Sequence, residues 1–137
     1  MKIVSACLAG IKCRYDGEAK PCQKVIELVK QGKAIPICPE QLGELTTPRT
    51  PAEQKENKVF TKTGENVTAQ FEKGAEKALK IALLANCEKA ILKAKSPSCG
   101  SGKVYDGTFS GKLIDGDGVF AKVLKKNNIK VFTENEI

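Results

Sequence analysis

The sequence predicts an α/β fold: a single-domain, three-layer sandwich over residues 1–137, built on a four-stranded, mostly parallel, Rossmann-like sheet. Two observations carry this prediction. Short apolar runs of strand length alternate with longer stretches whose apolar residues recur at helical spacing. The first helical pattern also ends at Gly32 and passes into the next strand almost at once, the spacing of a βαβ crossover.

Lys2 to Ser5 reads as a short buried strand. Pro21 opens a helical pattern through Val25, Ile26, Leu28 and Val29, with Gly32 as its C-terminal cap. Ala34 to Ile37 is the second strand. From Pro39 to Thr68 the chain is turn-rich and lacks helical periodicity, which marks a functional loop or lid. Val59-Phe60-Thr61 within it has the content of a short edge hairpin. Thr68 then caps a helix whose apolar stripe is Phe71, Ala75, Ala78, Leu79, Ala82 and Leu83. Ala90 to Ala94 is the third strand. The glycine-rich stretch Ser96 to Gly118 has room for a hairpin around Tyr105 to Phe109. A final helix, Val119 to Lys126, and a final strand, Ile129 to Thr133, complete the order. Right-handed crossovers are expected at each helical unit.

A chain of 137 residues buries enough surface to fold without disulfide staples. Aromatic residues make up only 5%, so the expected core is Ile, Leu, Val and Ala. No cleavable signal pattern and no membrane-length apolar run is visible, so the expected location is the cytoplasm. There, six cysteines point to metal or catalytic chemistry rather than to three bridges. The net charge of +7 permits anionic partners, nucleic acid included. Most of the basic residues are lysines dispersed along helices, however, which is the pattern of a solvated surface. Histidine is absent, which excludes any His-based triad, base or metal ligand.

Cys7, Cys38 and Cys99 each follow a predicted strand. In an open parallel sheet the ligand crevice lies outside the carboxyl ends of the strands, so these three thiols are expected to converge there. Three soft ligands with one position left open suit a catalytic metal or iron–sulfur centre. Cys13 lies close enough to be a spare ligand or a sulfur acceptor, whereas Cys22 and Cys87 read as inert packing residues. No CxxC pair exists, which argues against a zinc ribbon or a thioredoxin-like motif.

Other motifs are weaker. Ser96-Pro97-Ser98-Cys99-Gly100-Ser101-Gly102-Lys103 fails the Walker pattern at Pro97 and Val104, but its amides and hydroxyls suit an anion nest. Gly116-Asp117-Gly118 reads as a loop and helix cap. Tyr15-Asp16-Gly17 and Tyr105-Asp106-Gly107 read as turn pairs, with a supporting role at the crevice as the functional alternative. Cys38-Pro39-Glu40 sets a carboxylate two residues past a candidate ligand, where it can move protons or activate water. Arg49, held between Pro48 and Pro51, either binds substrate or anchors its loop.

Several of these blocks together resemble a bacterial family associated with thiouracil desulfidases. They are Ser5-Ala6-Cys7-Leu8 with Cys13-Arg14-Tyr15-Asp16-Gly17, then Cys38-Pro39-Glu40 with Pro48-Arg49-x-Pro51-Ala52-Glu53. Val67-Thr68 with Phe71, Gly74 and Ala75 follows, and then Leu92-Lys93-x-x-Ser96-Pro97-Ser98-Cys99-Gly100 with Tyr105-Asp106-Gly107-Thr108-Phe109. The resemblance implies a 4Fe–4S cluster on Cys7, Cys38 and Cys99, with one open iron to polarise a thiocarbonyl sulfur. It implies Glu40 as the group that activates water and Ser96 as a holder of substrate. The implied chemistry is a non-redox desulfuration of a small thiolated base. Glu44 stands where the family has a glycine-rich turn, a departure that bears on pocket shape. The alternatives are a non-catalytic zinc domain held by cysteines and a sulfurtransferase carrying persulfide on Cys13 or Cys99. Nucleic acid is a possible but less favoured partner, because arginine and stacking residues are sparse.

Overall fold

The computed structural model describes residues 1–137. Its main sheet contains β1 (Lys2–Ser5), β2 (Ala34–Ile37), β5 (Lys89–Leu92) and β8 (Lys130–Thr133), in the spatial order β2-β1-β5-β8. All three pairings are parallel. The strand order reverses between β1 and β5, and that switch point is where doubly wound sheets open a ligand crevice.

Side chains alternate across the sheet and so define three layers. Ile3, Ala90 and Leu92 face α3 (Thr68–Leu84) and α4 (Val119–Lys126), where Ala75, Ala78, Ala82, Phe120 and Leu124 complete the core. Val4 and Ile91 face the other way, toward Val25 of α1 (Gln23–Lys30). The core is mainly aliphatic, as the composition predicts, although Phe71 and Phe120 are its largest fully buried side chains.

The two long connections carry structure of their own. After β2 comes a four-residue helix, α2 (Pro39–Leu42), too short to show a period in sequence. The hairpin of β3 (Ala52–Lys55) and β4 (Lys58–Thr61) forms a separate two-stranded sheet rather than an edge of the main one. A second small sheet pairs β6 (Lys103–Tyr105) with β7 (Leu113–Asp115), leaving Phe109 in the loop between them. Thr68 is the first residue of α3 and not its cap: its hydroxyl accepts the Val59 N–H at 2.9 Å and so ties the helix to the hairpin. Gly32 follows the α1 cap, Gln31, in the left-handed conformation (φ 71°) that turns the chain into β2. No helix is long and apolar enough to cross a membrane.

Helices α2 and α3 cross at backbone contact. A methyl group on Gly74 would lie 1.8 Å from the Pro39 carbonyl oxygen, and one on Gly43 would lie 2.0 Å from that of Gln70. This crossing fixes α2, and with it Cys38 and Glu40, against the body of the molecule.

Candidate active site

Each candidate cysteine is placed by a different element at the carboxyl end of the sheet. Cys7 lies in the 3-10 turn Ala6–Ala9 that follows β1. Cys38 caps the N-terminus of α2 directly after β2. Cys99 lies in the loop after β5, and α4 holds that loop from below: the N–H groups of Val119 and Phe120 donate to the carbonyls of Pro97 (2.9 Å) and Ser98 (2.8 Å). Gly118, the α4 cap, permits this approach, since a side chain there would lie 2.4 Å from the Ser98 carbonyl.

All three thiols line one cavity of about 540 Å³, together with Cys13, Glu40, Arg49, Ser96 and Ser98. Cys22 and Cys87 stay outside it and pack against the two core clusters. All six cysteines are free thiols. Lys20, Lys62, Lys93 and Lys95 also line the cavity, with Lys93 paired to Glu134 at 2.8 Å.

The thiols crowd one another. Cys13 touches both Cys38 and Cys7; the first contact lowers its pKa, but the second, together with burial, outweighs it and pushes the thiol up to about 11. Contact with Cys13, then burial, pushes the Cys38 thiol far above its ordinary value. Burial pushes Cys99 up to about 12, opposed by the neighbouring Ser5 and Ser98 hydroxyls. A metal–sulfur centre at this position would have to displace the thiol protons, since metal-bound cysteine is the thiolate. Cys7, Cys38 and Cys99 fit an iron–sulfur centre in their chemistry: they are soft donors, they share one cavity, and no histidine is present to compete.

Glu40 faces the cavity from the first turn of α2, and both of its oxygens are engaged. Arg49 Nε donates to Oε1 at 3.0 Å, and the Ser98 hydroxyl donates to Oε2 at 2.9 Å. The Arg49 guanidinium also donates to the Thr46 carbonyl (3.1 Å), the Thr47 hydroxyl (2.9 Å) and the Cys13 carbonyl (2.9 Å). One residue thereby joins α2, its own loop and the Cys13 segment. Those contacts occupy most of its five N–H donors, and the side chain is 8% exposed. Of the two roles open in sequence, the geometry supports the anchor.

Ser96 lies one step behind. Its oxygen accepts from the N–H groups of Ser98 (3.2 Å) and Cys99 (3.0 Å), and lies 3.1 Å from the Ser98 hydroxyl. Because Ser98 donates to Glu40, Ser96 is the donor in the serine pair, and a chain of hydroxyls leads from Ser96 through Ser98 to the carboxylate. Ser98, 2% exposed and also 3.7 Å from Cys99 Sγ, is a candidate site residue that the sequence reading placed only within a possible anion nest, with no role of its own. Its position directly before Cys99 was the available signal. Asp16 and Asp106 do what turn residues do, each accepting an N–H two residues on. Glu44 adopts a left-handed backbone (φ 72°), where glycine is unstrained, and pairs with Lys73 at the surface.

A family model described as 2-thiouracil desulfurase matches residues 3–136. The chain is 46% identical over 147 residues to the uncharacterized protein YbbK of Bacillus subtilis (strain 168), covering 100% of this chain and 97% of that one. Among solved structures, the [4Fe-4S]-dependent thiouracil desulfidase TudS superposes with a TM-score of 0.94 at 44% identity. That alignment covers 98% of this chain and 91% of the TudS chain.

Proposed function

Because the chain belongs to the 2-thiouracil desulfurase family, we propose that it is an iron–sulfur-dependent enzyme that desulfurates thiouracil or a closely related small thiolated base. Water replaces the thiocarbonyl sulfur, sulfide is released, and no electrons are gained or lost overall. The observation that carries this reading is the convergence of Cys7, Cys38 and Cys99 on one cavity that also presents Glu40.

In this reading Cys7, Cys38 and Cys99 would hold a 4Fe–4S cluster, three protein thiolates for four irons. When bound, that cluster supplies a Lewis acid for the thiocarbonyl sulfur. The remaining work belongs to the chain. Glu40 takes one proton from the attacking water as the oxygen–carbon bond forms and returns it to the departing sulfur as the carbon–sulfur bond breaks, while the second water proton leaves the new carbonyl oxygen for solvent. Arg49 keeps the carboxylate aimed at the cavity. Ser98 holds the other oxygen, and Ser96 orients Ser98 while bracing the Cys99 backbone. The family resemblance supports Ser96 as a substrate holder, and its contacts add this bracing role.

The cytoplasm, where thiols remain reduced, is the compartment that suits six free cysteines. A free base is favoured over a polymeric nucleic acid, since arginine is sparse and the lysines are dispersed.

The test is sulfide release from 2-thiouracil by protein reconstituted with iron and sulfide under anaerobic conditions. Cluster uptake with uracil and sulfide as products supports the reading. Failure to take up iron removes its mechanism, and uptake without turnover of any thiolated pyrimidine removes its substrate class.

A further inference from the structure

Aromatic side chains are scarce in this chain: five phenylalanines and two tyrosines. Both tyrosines and one phenylalanine, Phe109, nevertheless line the cavity. Packing accounts for Phe71 and Phe120, which are fully buried in the core. It does not account for Phe109, which is half-buried in the loop joining β6 to β7.

That loop is held in an uncommon way. Phe109 has a φ of 57°, the left-handed region that a bulky residue rarely occupies. Its N–H donates to Glu53 Oε1 at 3.1 Å, and the same oxygen accepts the Gly107 N–H at 3.0 Å. Glu53 comes from β3 and itself borders the cavity. One carboxylate therefore bolts the loop to the neighbouring hairpin at two points and holds Phe109 at the cavity wall. Strain of this kind persists where the surroundings over-determine it, and it clusters at functional sites. Tyr15 is a poorer platform, since the Arg14 guanidinium lies over its ring at 5.4 Å from the centroid.

We propose that Phe109 is the specificity-determining residue for a planar ring substrate, stacking on the heterocycle, with Glu53 as the positioning residue that keeps it in place. This rests on the reading above that the substrate is a thiolated heterocycle. Stacking of one base on an aromatic side chain changes affinity by about 10- to 100-fold. It is indifferent to whether the ring carries sulfur or oxygen, so uracil itself should bind through Phe109.

The experiment compares wild type, Phe109→Gly and Phe109→Tyr as anaerobically reconstituted protein. It measures kcat and KM for 2-thiouracil, uracil binding by equilibrium dialysis, iron per chain and Tm. For Phe109→Gly we expect KM and the uracil Kd to rise about 10- to 100-fold, with kcat and iron content unchanged. Its Tm should equal or exceed that of wild type, because glycine relieves the left-handed backbone. Phe109→Tyr should retain wild-type binding. Wild-type KM and uracil affinity in Phe109→Gly overturn the proposal, as does a Tm drop of several degrees, which marks a packing role. A wild-type protein that binds uracil through Phe109 yet releases no sulfide refutes the desulfidase reading alone. One that desulfurates equally well with Phe109→Gly refutes the stacking proposal alone.

Discussion

Gly74→Ala tests how the α2–α3 crossing positions the site. Helix propensity alone favours alanine at this helical position by about 1 kcal/mol. The added methyl, however, falls 1.8 Å from the Pro39 carbonyl oxygen, where ordinary contact begins at 3.4 Å, so the helices must separate by about 1.6 Å. The obstacle is backbone, with Gly43 N at 2.9 Å behind it, and no flexible side chain can yield. Overpacking of this kind costs about 1–3 kcal/mol and outweighs the propensity gain. Pro39 lies between Cys38 and Glu40, so the shift reaches both. Displacement of reacting groups by about 1 Å lowers turnover roughly 100-fold. We therefore expect a Tm several degrees lower, kcat down about 100-fold, and reduced iron uptake. Gly116→Ala is the control, since a methyl there meets only a Val104 methyl at 3.3 Å. Wild-type Tm and kcat in Gly74→Ala would refute the claim that this crossing sets the position of α2.

Two further predictions address side chains around the cavity. Arg49→Lys keeps the charge but loses the fork that reaches Glu40, Thr46, Thr47 and Cys13 together, so kcat should fall at least about 10-fold while KM for 2-thiouracil holds; steady-state kinetics with added guanidinium, which should partly rescue a smaller variant such as Arg49→Ala, checks this. Glu134, whose pKa is lowered because its bonds to Lys93 and the Ala94 N–H outweigh the opposing effect of burial, stabilises the fold above the ordinary carboxylate pKa and loses that contribution as pH falls through its own lower value; Glu134→Gln should therefore melt below wild type at pH 7, and the gap should close below about pH 4.

The legible parts of the fold were those with strong local patterns. Ala34–Ile37 and Val119–Lys126 fall where apolar runs and flanking glycines put them. Helix α2 was not legible, because four residues contain no period, and the role of Gly74 is invisible without its partner across the crossing. Thr68 has the composition of a cap, but its hydroxyl is used by Val59, nine residues away. At the site, strand-end placement was enough to gather Cys7, Cys38 and Cys99. The pairing of Ser98 with Glu40 was not legible, because the two lie 58 residues apart and only the fold brings them into contact. The role of Arg49 depends likewise on the Cys13 carbonyl, 36 residues distant.

Iron content per chain after anaerobic reconstitution, measured across single Cys→Ser variants, tests the central claim most directly. The account predicts about four irons per chain for wild type, Cys22→Ser and Cys87→Ser, as a 4Fe–4S cluster requires. It predicts a marked loss, with sulfide release abolished, for Cys7→Ser, Cys38→Ser and Cys99→Ser. Undiminished iron in any of those last three, or a loss confined to Cys22→Ser or Cys87→Ser, would contradict it.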